Sequence, residues 1–258
     1  MITTEQLKSL RDETGVSVMQ CKKALEEAEG DMEKARIILK KKSGDAAAKK
    51  ADRELGAGLI VTAQNFGKAV MLTLHSETDF VAKNADFIAL AKNLAEKTLL
   101  SGKDAMVAES AGLLAEAIQK LGENIKVGEV YAFESSNAGV YNHNGQFASI
   151  IVLKEKDDVL AKDIAMHATA MRPTYLKEED ISPESKEKAK ELFGKEVEEQ
   201  AAGKPEEMKA KILEGKINSY FKDQVLLKQD FIKDPSKTIE QLVKEKNNSV
   251  ESFALSQV

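Results

Sequence analysis

The feature that most constrains the fold is a strand–turn–strand–helix pattern that occurs twice along the chain. The first copy runs Gly58-Leu59-Ile60-Val61-Thr62-Ala63, turns at Gln64-Asn65-Phe66-Gly67 and returns through Ala69-Val70-Met71-Leu72-Thr73-Leu74. The second copy spans residues 139–152 with Gly145 in its turn, 78 residues after Gly67. Because β-branched and apolar runs joined by a short Asn/Gly turn pair as hairpins, the pattern predicts two related sheet-plus-helix subdomains.

A helical period governs the N-terminal residues instead. Thr3 and Ser17 each precede a Gln by three residues, which is the spacing of a capping box, and Asp31 stands before a third apolar-periodic run. We predict a three-helix domain over residues 1–42. Residues 43–54 are polar and Ala-rich with no apolar face to bury, so we interpret them as a linker between domains, with a helical connector as the open alternative.

The remaining chain divides by the same criteria into a core and an insertion. We predict core subdomain N over 55–137 and core subdomain C over 138–182 and 226–258. Residues 183–225 contain two charged helical runs, broken at Gly203-Lys204-Pro205, with sparse apolar positions. Such runs are typical of two helices packed along a narrow seam. The expected class is therefore α+β with an inserted antiparallel helical hairpin.

Composition excludes several classes of protein. The net charge of −5 disfavours a general nucleic-acid binder, and no apolar run approaches the roughly 20 residues of a membrane span. The N-terminus lacks the order of a secretory signal. A single cysteine fits a reducing compartment. These features predict a cytoplasmic protein with no membrane contact and no direct contact with nucleic acid.

The sequence also lacks the patterns of covalent catalysis. It has no phosphate-binding loop, no dinucleotide fingerprint and no metal-type spacing of Cys and His, so we expect no cofactor and no metal. Two alternatives stay open from the residues alone. One is an adaptor whose three helices bind ubiquitin-like or chaperone partners. The other is an enzyme that uses Cys21 or His143.

The stretch Ser76-Glu77-Thr78-Asp79-Phe80-Val81-Ala82-Lys83-Asn84 resembles the Thr-Asp-Phe-Val-Ala-Lys element of the elongation factor Ts family. Five further stretches agree and follow the family's order, so the resemblance covers nearly the whole chain. They are Arg11-Asp12-Glu13-Thr14-Gly15, Cys21-Lys22-Lys23-Ala24-Leu25, Leu121-Gly122-Glu123-Asn124-Ile125, Ala165-Met166-His167 and Pro235-Ser236-Lys237-Thr238.

The resemblance implies a function and an architecture. Members of the family are guanine-nucleotide exchange factors. They bind elongation factor Tu with GDP or without nucleotide, disturb its magnesium and phosphate site, and promote GDP release so that GTP can rebind during translation elongation. The implied fold has a ubiquitin-associated-like N-terminal domain, a core of two antiparallel-sheet subdomains and a coiled-coil hairpin.

The resemblance also implies which residues touch the partner. Asp79 and Phe80 push towards the partner's magnesium site, and Thr78 and Val81 frame them. The other implied partner contacts are Met19, Lys22, Leu121 and His143. Several family members continue into a C-terminal helix that contacts the partner. This sequence ends just after its last predicted strand, so we expect that contact to be missing.

Periodicity adds an orientation to this element. Val81 leads to Ala85 and Ile88 along the buried stripe of the following helix, whereas Phe80 lies off that stripe, although Phe87 returns to its side seven residues later. From the residues alone, an ordinary core position stays the favoured alternative for Phe80, because Phe is most often buried. Thr78 is placed to cap the helix and so to fix the direction in which Phe80 projects. For His167, a hydrogen-bonded position at the edge of the core is the expected role, and His143 is expected to be exposed at a hairpin tip.

Overall fold

A computed structural model describes residues 2–65 and 67–258, within which ten α-helices and eight β-strands form an α+β fold. Phe66, in the first predicted turn, lies outside the described residues. The helices are α1 (Thr4–Thr14), α2 (Val18–Glu27), α3 (Met32–Lys50), α4 (Asp79–Ala82), α5 (Ala85–Ser101), α6 (Lys103–Leu121), α7 (Asp158–Met171), α8 (Pro183–Gln200), α9 (Glu206–Lys222) and α10 (Ile239–Glu245). The strands are β1 (Ala57–Gln64), β2 (Ala69–Ser76), β3 (Ile125–Phe133), β4 (Ala138–His143), β5 (Phe147–Leu153), β6 (Asp230–Phe231), β7 (Asp234–Thr238) and β8 (Val250–Gln257).

The two three-stranded sheets repeat one strand order. In the order β1-β2-β3 and in the order β4-β5-β8, the second strand of the predicted hairpin is central and a later strand completes the sheet. Helices lie between the second and third strands of each sheet, namely α4–α6 in the first sheet and α7–α10, together with the short strands β6 and β7, in the second. The two sheets thus share the strand order that an internal repeat would give. The short β6–β7 pair was not predicted.

The chain divides into two compact units, which are described separately below. The first unit comprises Met1–Glu134, Asn142–Ala148 and Ser256–Val258, and the second comprises Ser135–Tyr141 and Ser149–Leu255.

Within the first unit, α1–α3 begin where the sequence predicts. Thr3 and Ser17 form complete capping boxes, and the Asp31 side chain accepts a hydrogen bond from the Lys34 N–H. These caps satisfy amides that have no partner inside the helix. The three helices bury one small apolar cluster: Leu10, Val16, Cys21, Ala24, Leu25, Ala28, Ala35 and Leu39.

Helix α3 continues to Lys50, so most of the segment interpreted as a linker is helical, as the helical-connector alternative allows. Three alanines at 46–48 favour helix intrinsically. Contacts distant in sequence add to this preference. Ala47 packs against the core beside the first sheet, and the Lys50 ammonium donates to the Ile118 carbonyl at 3.2 Å. The segment therefore has an apolar contact that its composition does not reveal.

The core of the first unit lies between its sheet and helices α5 and α6. Strands β1 and β2 pair antiparallel from Ala57↔Ser76 to Gln64↔Ala69, and β3 pairs with the other edge of β2. Phe87, Leu94 and Met106 are fully buried against this sheet.

In the second unit, α7 and α10 cover a second apolar cluster, and α8 and α9 form an antiparallel helical hairpin. The Phe193 and Tyr220 rings lie 5.3 Å apart, and the Lys216 ammonium is 2.6 Å from the Glu196 carboxylate across the two helices. The break at Gly203-Lys204-Pro205 falls between them as predicted. No helix of the described residues is both long and apolar enough to cross a membrane.

Candidate functional site

The candidate site is a single helical turn between a buried strand and a long helix. Helix α4 has only four residues, and Thr78 caps it by accepting a hydrogen bond from the Val81 N–H at 3.4 Å. Asn84 caps α5 in the same way, accepting from the Asp86 N–H at 2.8 Å. Two caps six residues apart therefore fix both ends of this turn, and the predicted capping role of Thr78 is confirmed.

The turn separates an exposed residue from buried ones. The Phe80 side chain is 84% exposed, the largest fraction among the exposed large hydrophobic residues of the described chain. Val81 packs against the core of the first unit, and Ala82 is buried. The predicted orientation of Phe80 and Val81 is confirmed. An aromatic ring in water has no stabilising role within its own chain, whereas such a ring can bury a large area against a partner.

A loop that precedes β3 holds the residue before this turn. The Thr78 hydroxyl donates to Glu123 Oε1 at 2.6 Å, and the Thr78 N–H donates to Glu123 Oε2 at 3.0 Å. The Ser76 hydroxyl donates to the Thr78 carbonyl at 2.9 Å. All three polar groups of Thr78 are therefore engaged. This contact was not predicted, because Glu123 lies 45 residues from Thr78 in the sequence.

The adjacent residue of the loop holds Glu77. The Asn124 N–H donates to Glu77 Oε1 at 2.6 Å, and its side-chain amide donates to the Arg53 carbonyl at 2.9 Å. The Arg53 guanidinium also reaches Glu77 Oε1, at 3.3 Å. The hydrogen bond from Asn124 is the main cause that lowers the pKa of the Glu77 carboxyl.

Asp79 is exposed and forms an ion pair along its own turn. Lys83 Nζ lies 2.6 Å from Asp79 Oδ2. The hydrogen bond from Lys83 and its positive charge lower the pKa of the Asp79 carboxyl, so the group is ionised at neutral pH. Both side chains are largely in water, and the ion pair contributes little to stability there. The carboxylate is therefore available to other positive groups.

A groove of about 660 Å³ lies beside Asp79 and Lys83 within the first unit. Its other walls include the chain at 56–59 and the polar side chains of Asn144 and Gln146. The 142–146 loop is held there by the edge of β1, since Asn142 Nδ2 donates to the Ile60 carbonyl at 2.9 Å and the Ile60 N–H donates to the Gly145 carbonyl at 2.7 Å.

The four other predicted contact residues belong to the same unit. Met19 is 61% exposed on α2, with the exposed Lys22 one turn further along the helix. His143 is exposed at the end of β4, as predicted, and Leu121 is half-buried at the end of α6. The Lys22 ammonium lies 3.8 Å from Glu26 on the helix surface.

Cys21 and His167 have structural positions. Cys21 is fully buried among α1–α3, and its thiol donates to the Val16 carbonyl at 3.6 Å, so the enzyme alternative loses its nucleophile. His167 is fully buried in the second unit. Its Nδ1 accepts from the Ile232 N–H at 3.2 Å, and its Nε2 therefore carries the proton and donates to Gln229 Oε1 at 2.9 Å.

The residues described by the structure contain no cluster of three or more His, Cys, Asp or Glu side chains that could bind a metal ion. Within 2–65 and 67–258, the buried side-chain polar atoms all have hydrogen-bond partners. The chemistry of the site is thus that of a surface with an exposed ring, a carboxylate and a polar groove.

Comparison with known proteins gives a consistent result. A family model described as Elongation factor TS matches residues 77–258. Among curated proteins, the chain is 38% identical to "Elongation factor Ts" of Kineococcus radiotolerans, over 98% of this chain and 96% of the relative. It is 37% identical to "Elongation factor Ts" of a Hydrogenobaculum species, over 98% and 97% of the two chains, and 36% identical to that of Burkholderia thailandensis, over 98% and 89%.

Proposed function

This chain belongs to the elongation factor Ts family of translation elongation factors, and we propose that it is the guanine-nucleotide exchange factor of elongation factor Tu. It acts in the cytoplasm, binds elongation factor Tu in its GDP-bound and nucleotide-free states, and promotes release of GDP so that GTP can rebind. The observation that carries the proposal is the Phe80 ring, 84% exposed on a turn that is capped at both ends.

In this proposal, Thr78, Asp79, Phe80 and Val81 form the exchange tip. Phe80 inserts into the partner near its magnesium and phosphate site, and Asp79 brings a negative charge to the same place. Val81 and Thr78 stay with their own chain and hold the turn. This division agrees with the burial of Val81 and with the hydrogen bonds of Thr78.

Four further residues contact the partner. Met19 and Lys22 contact its nucleotide-binding domain, and Leu121 and His143 contact the partner from the core. Exposure of Met19 and Lys22 on one helix face supports a contact there, because a Met side chain adapts to the shape of the surface it meets. The groove beside Asp79 offers polar groups to the surface of the partner.

The remaining architecture serves as a scaffold in the proposal. Helices α1–α3 act as a ubiquitin-associated-like domain, the two sheets belong to subdomains N and C of the core, and α8 and α9 form a coiled-coil insertion. The proposed boundaries are 1–42 for the three-helix domain, 43–54 for the connection, 55–137 for subdomain N, 138–182 with 226–258 for subdomain C and 183–225 for the insertion.

The mechanism needs no covalent bond. A protein that binds the nucleotide-free partner more tightly than the GDP form must weaken GDP binding by the same factor, since the two bindings are linked. A thousandfold acceleration of release requires about 4 kcal/mol of stabilisation at the barrier. Insertion of one buried aromatic ring supplies a few kcal/mol, and the contacts around the tip supply the remainder.

The direct test is the release of fluorescently labelled GDP from elongation factor Tu in excess unlabelled nucleotide. The proposal predicts that the chain, at micromolar concentration, accelerates release by orders of magnitude. It also predicts that the accelerated rate saturates with concentration. Release that is unchanged by the chain would contradict the proposal.

A further inference from the structure

The exchange tip is too short to form a stable helix on its own. Helix α4 has four residues, and an isolated helix of that length is not stable in water, because nucleation costs more than so few hydrogen bonds return. The direction of the Phe80 ring therefore depends on groups outside the turn. Val81 supplies one attachment through the core, and Thr78 supplies the other through its hydrogen bonds.

The Glu123 carboxylate fixes Thr78 at two points. One oxygen accepts the hydroxyl proton at 2.6 Å and the other accepts the backbone N–H at 3.0 Å. The Thr78 hydroxyl has a single proton, which it donates to Glu123. The oxygen of the same hydroxyl then accepts the Val81 N–H through a lone pair. The carboxylate thus selects the hydroxyl orientation that caps α4. Hydrogen bonds to a charged acceptor are stronger than those between neutral groups.

The residues on either side of Glu123 are fixed by burial and hydrogen bonds. Gly122 ends α6 with a positive φ of 81°, and Ile125, the first residue of β3, is 2% exposed. Between them, Asn124 is tied by its backbone to Glu77 at 2.6 Å and by its side chain to the Arg53 carbonyl at 2.9 Å. Glu123 therefore stands on a segment held by a helix end, by the buried first residue of β3 and by two hydrogen bonds of Asn124.

The geometry points to Glu123 as a positioning residue, which sets the direction of Phe80 through Thr78 and so determines how effectively the tip promotes nucleotide release. The effect on nucleotide release rests on the proposed function. The positioning of Phe80 by Glu123 concerns the chain alone and can be tested without the partner. Glu123 itself need not touch the partner.

The first test reports on the tip in the free chain. The sequence contains no tryptophan, so Phe80→Trp introduces a single reporter whose time-resolved fluorescence anisotropy measures local motion. Adding Glu123→Ala is expected to increase the amplitude of the fast motion. Adding Glu109→Ala, which removes an exposed carboxylate paired with Lys97 elsewhere in the first unit, is the matched control and is expected to leave it unchanged. Equal amplitudes in all three proteins would overturn the inference.

The second test measures exchange. Glu123→Ala is expected to lower the maximal rate of GDP release about tenfold, while the half-saturating concentration changes less than about twofold. Glu123→Gln is expected to restore part of the rate, because its amide oxygen still accepts one of the two hydrogen bonds. A loss confined to the half-saturating concentration would overturn the inference, because it would indicate that Glu123 only binds.

A double-mutant cycle separates positioning from loss of stability. If Glu123 acts through Phe80, Phe80→Ala lowers the rate much less in the Glu123→Ala background than in the wild type. Independent effects that add on a logarithmic scale would overturn the inference. If the wild-type chain does not accelerate release at all, the proposed function fails, and the anisotropy test still decides whether Glu123 positions the tip.

Discussion

Phe80 and Val81 are consecutive residues of one helical turn, yet Phe80 is 84% exposed while Val81 packs against the core of the first unit. The sequence separates them because successive helical positions point about 100° apart. A helical turn at the end of a buried strand thereby carries one side chain into the core and presents its neighbour to water. The division of roles between the two residues predicts different effects on stability.

Val81→Ala is expected to destabilise the chain and Phe80→Ala is not. The first change removes two methyl groups from a partly buried position, at a cost of about 1–2 kcal/mol in the free energy of unfolding. The second removes a ring that is already in water, with a change within about 0.5 kcal/mol. Urea denaturation of both variants measures the two values. A larger loss for Phe80→Ala would show that the ring packs against its own chain.

Gly44→Ala is expected to stabilise the chain by about 0.5–1 kcal/mol in thermal or urea unfolding. Gly44 lies inside α3 with open space around its Cα, and alanine is the better helix former. Gly30→Ala is the matched control. Gly30 also has open space, but its φ is 87°, which strains an L side chain by about 1–2 kcal/mol. A loss of stability for Gly44→Ala would mean that residues 43–50 are not helical in solution.

The starts of helices α1–α3 could be predicted from local sequence, but the extension of α3 could not. Helix starts were predictable because caps such as Thr3, Ser17 and Asp31 act on amides three residues away. The extension of α3 was not, because Lys50 finds its partner, the Ile118 carbonyl, 68 residues later. Local composition carries no information on such a contact.

The candidate site shows the same limit. The capping role of Thr78 and the different directions of Phe80 and Val81 follow from local spacing, and both were predicted. The contact from Glu123 to Thr78 spans 45 residues and depends on β3 pairing with β2. The β6–β7 pair was not predicted, because β6 has only two residues and shows no alternation of apolar and polar residues, and because Pro235 interrupts β7.

His167 is expected to make stability depend on pH. Burial lowers its pKa below the ordinary value of 6.5, so the folded state binds a proton less readily than the unfolded state. The contribution of the neutral imidazole to the free energy of unfolding is therefore fully present above about pH 6.5. It decreases as the pH falls from about 6.5 towards the lower folded-state pKa, by up to about 1.4 kcal/mol per pH unit. Urea unfolding between about pH 7.5 and about pH 5.5 measures the slope.

One variant attributes that slope to His167. His167→Gln lacks the titrating group, so its stability is expected to be lower but to change less across the same pH window. A wild-type slope that survives His167→Gln would assign the pH dependence to other groups.

The Asp79 carboxyl is expected to titrate below its ordinary pKa because Lys83 donates a hydrogen bond to it. Lys83→Met removes that donor and is expected to raise the Asp79 pKa towards its ordinary value. The stability contributed by the pair is present above the unfolded-state pKa of Asp and is lost as the pH falls through the lower folded-state pKa. NMR titration of the Asp79 carboxyl in both proteins measures the shift, and equal pKa values would show that the pair does not persist in solution.

The proposed function requires that the exposed Phe80 ring drives nucleotide release. We would compare the maximal rate of GDP release from elongation factor Tu for wild type, Phe80→Ala and Leu100→Ala. Leu100 is 79% exposed on α5 of the same unit and controls for loss of any exposed apolar side chain. We expect a reduction of about tenfold or more for Phe80→Ala and a rate near that of the wild type for Leu100→Ala. Equal maximal rates for wild type and Phe80→Ala would contradict this requirement.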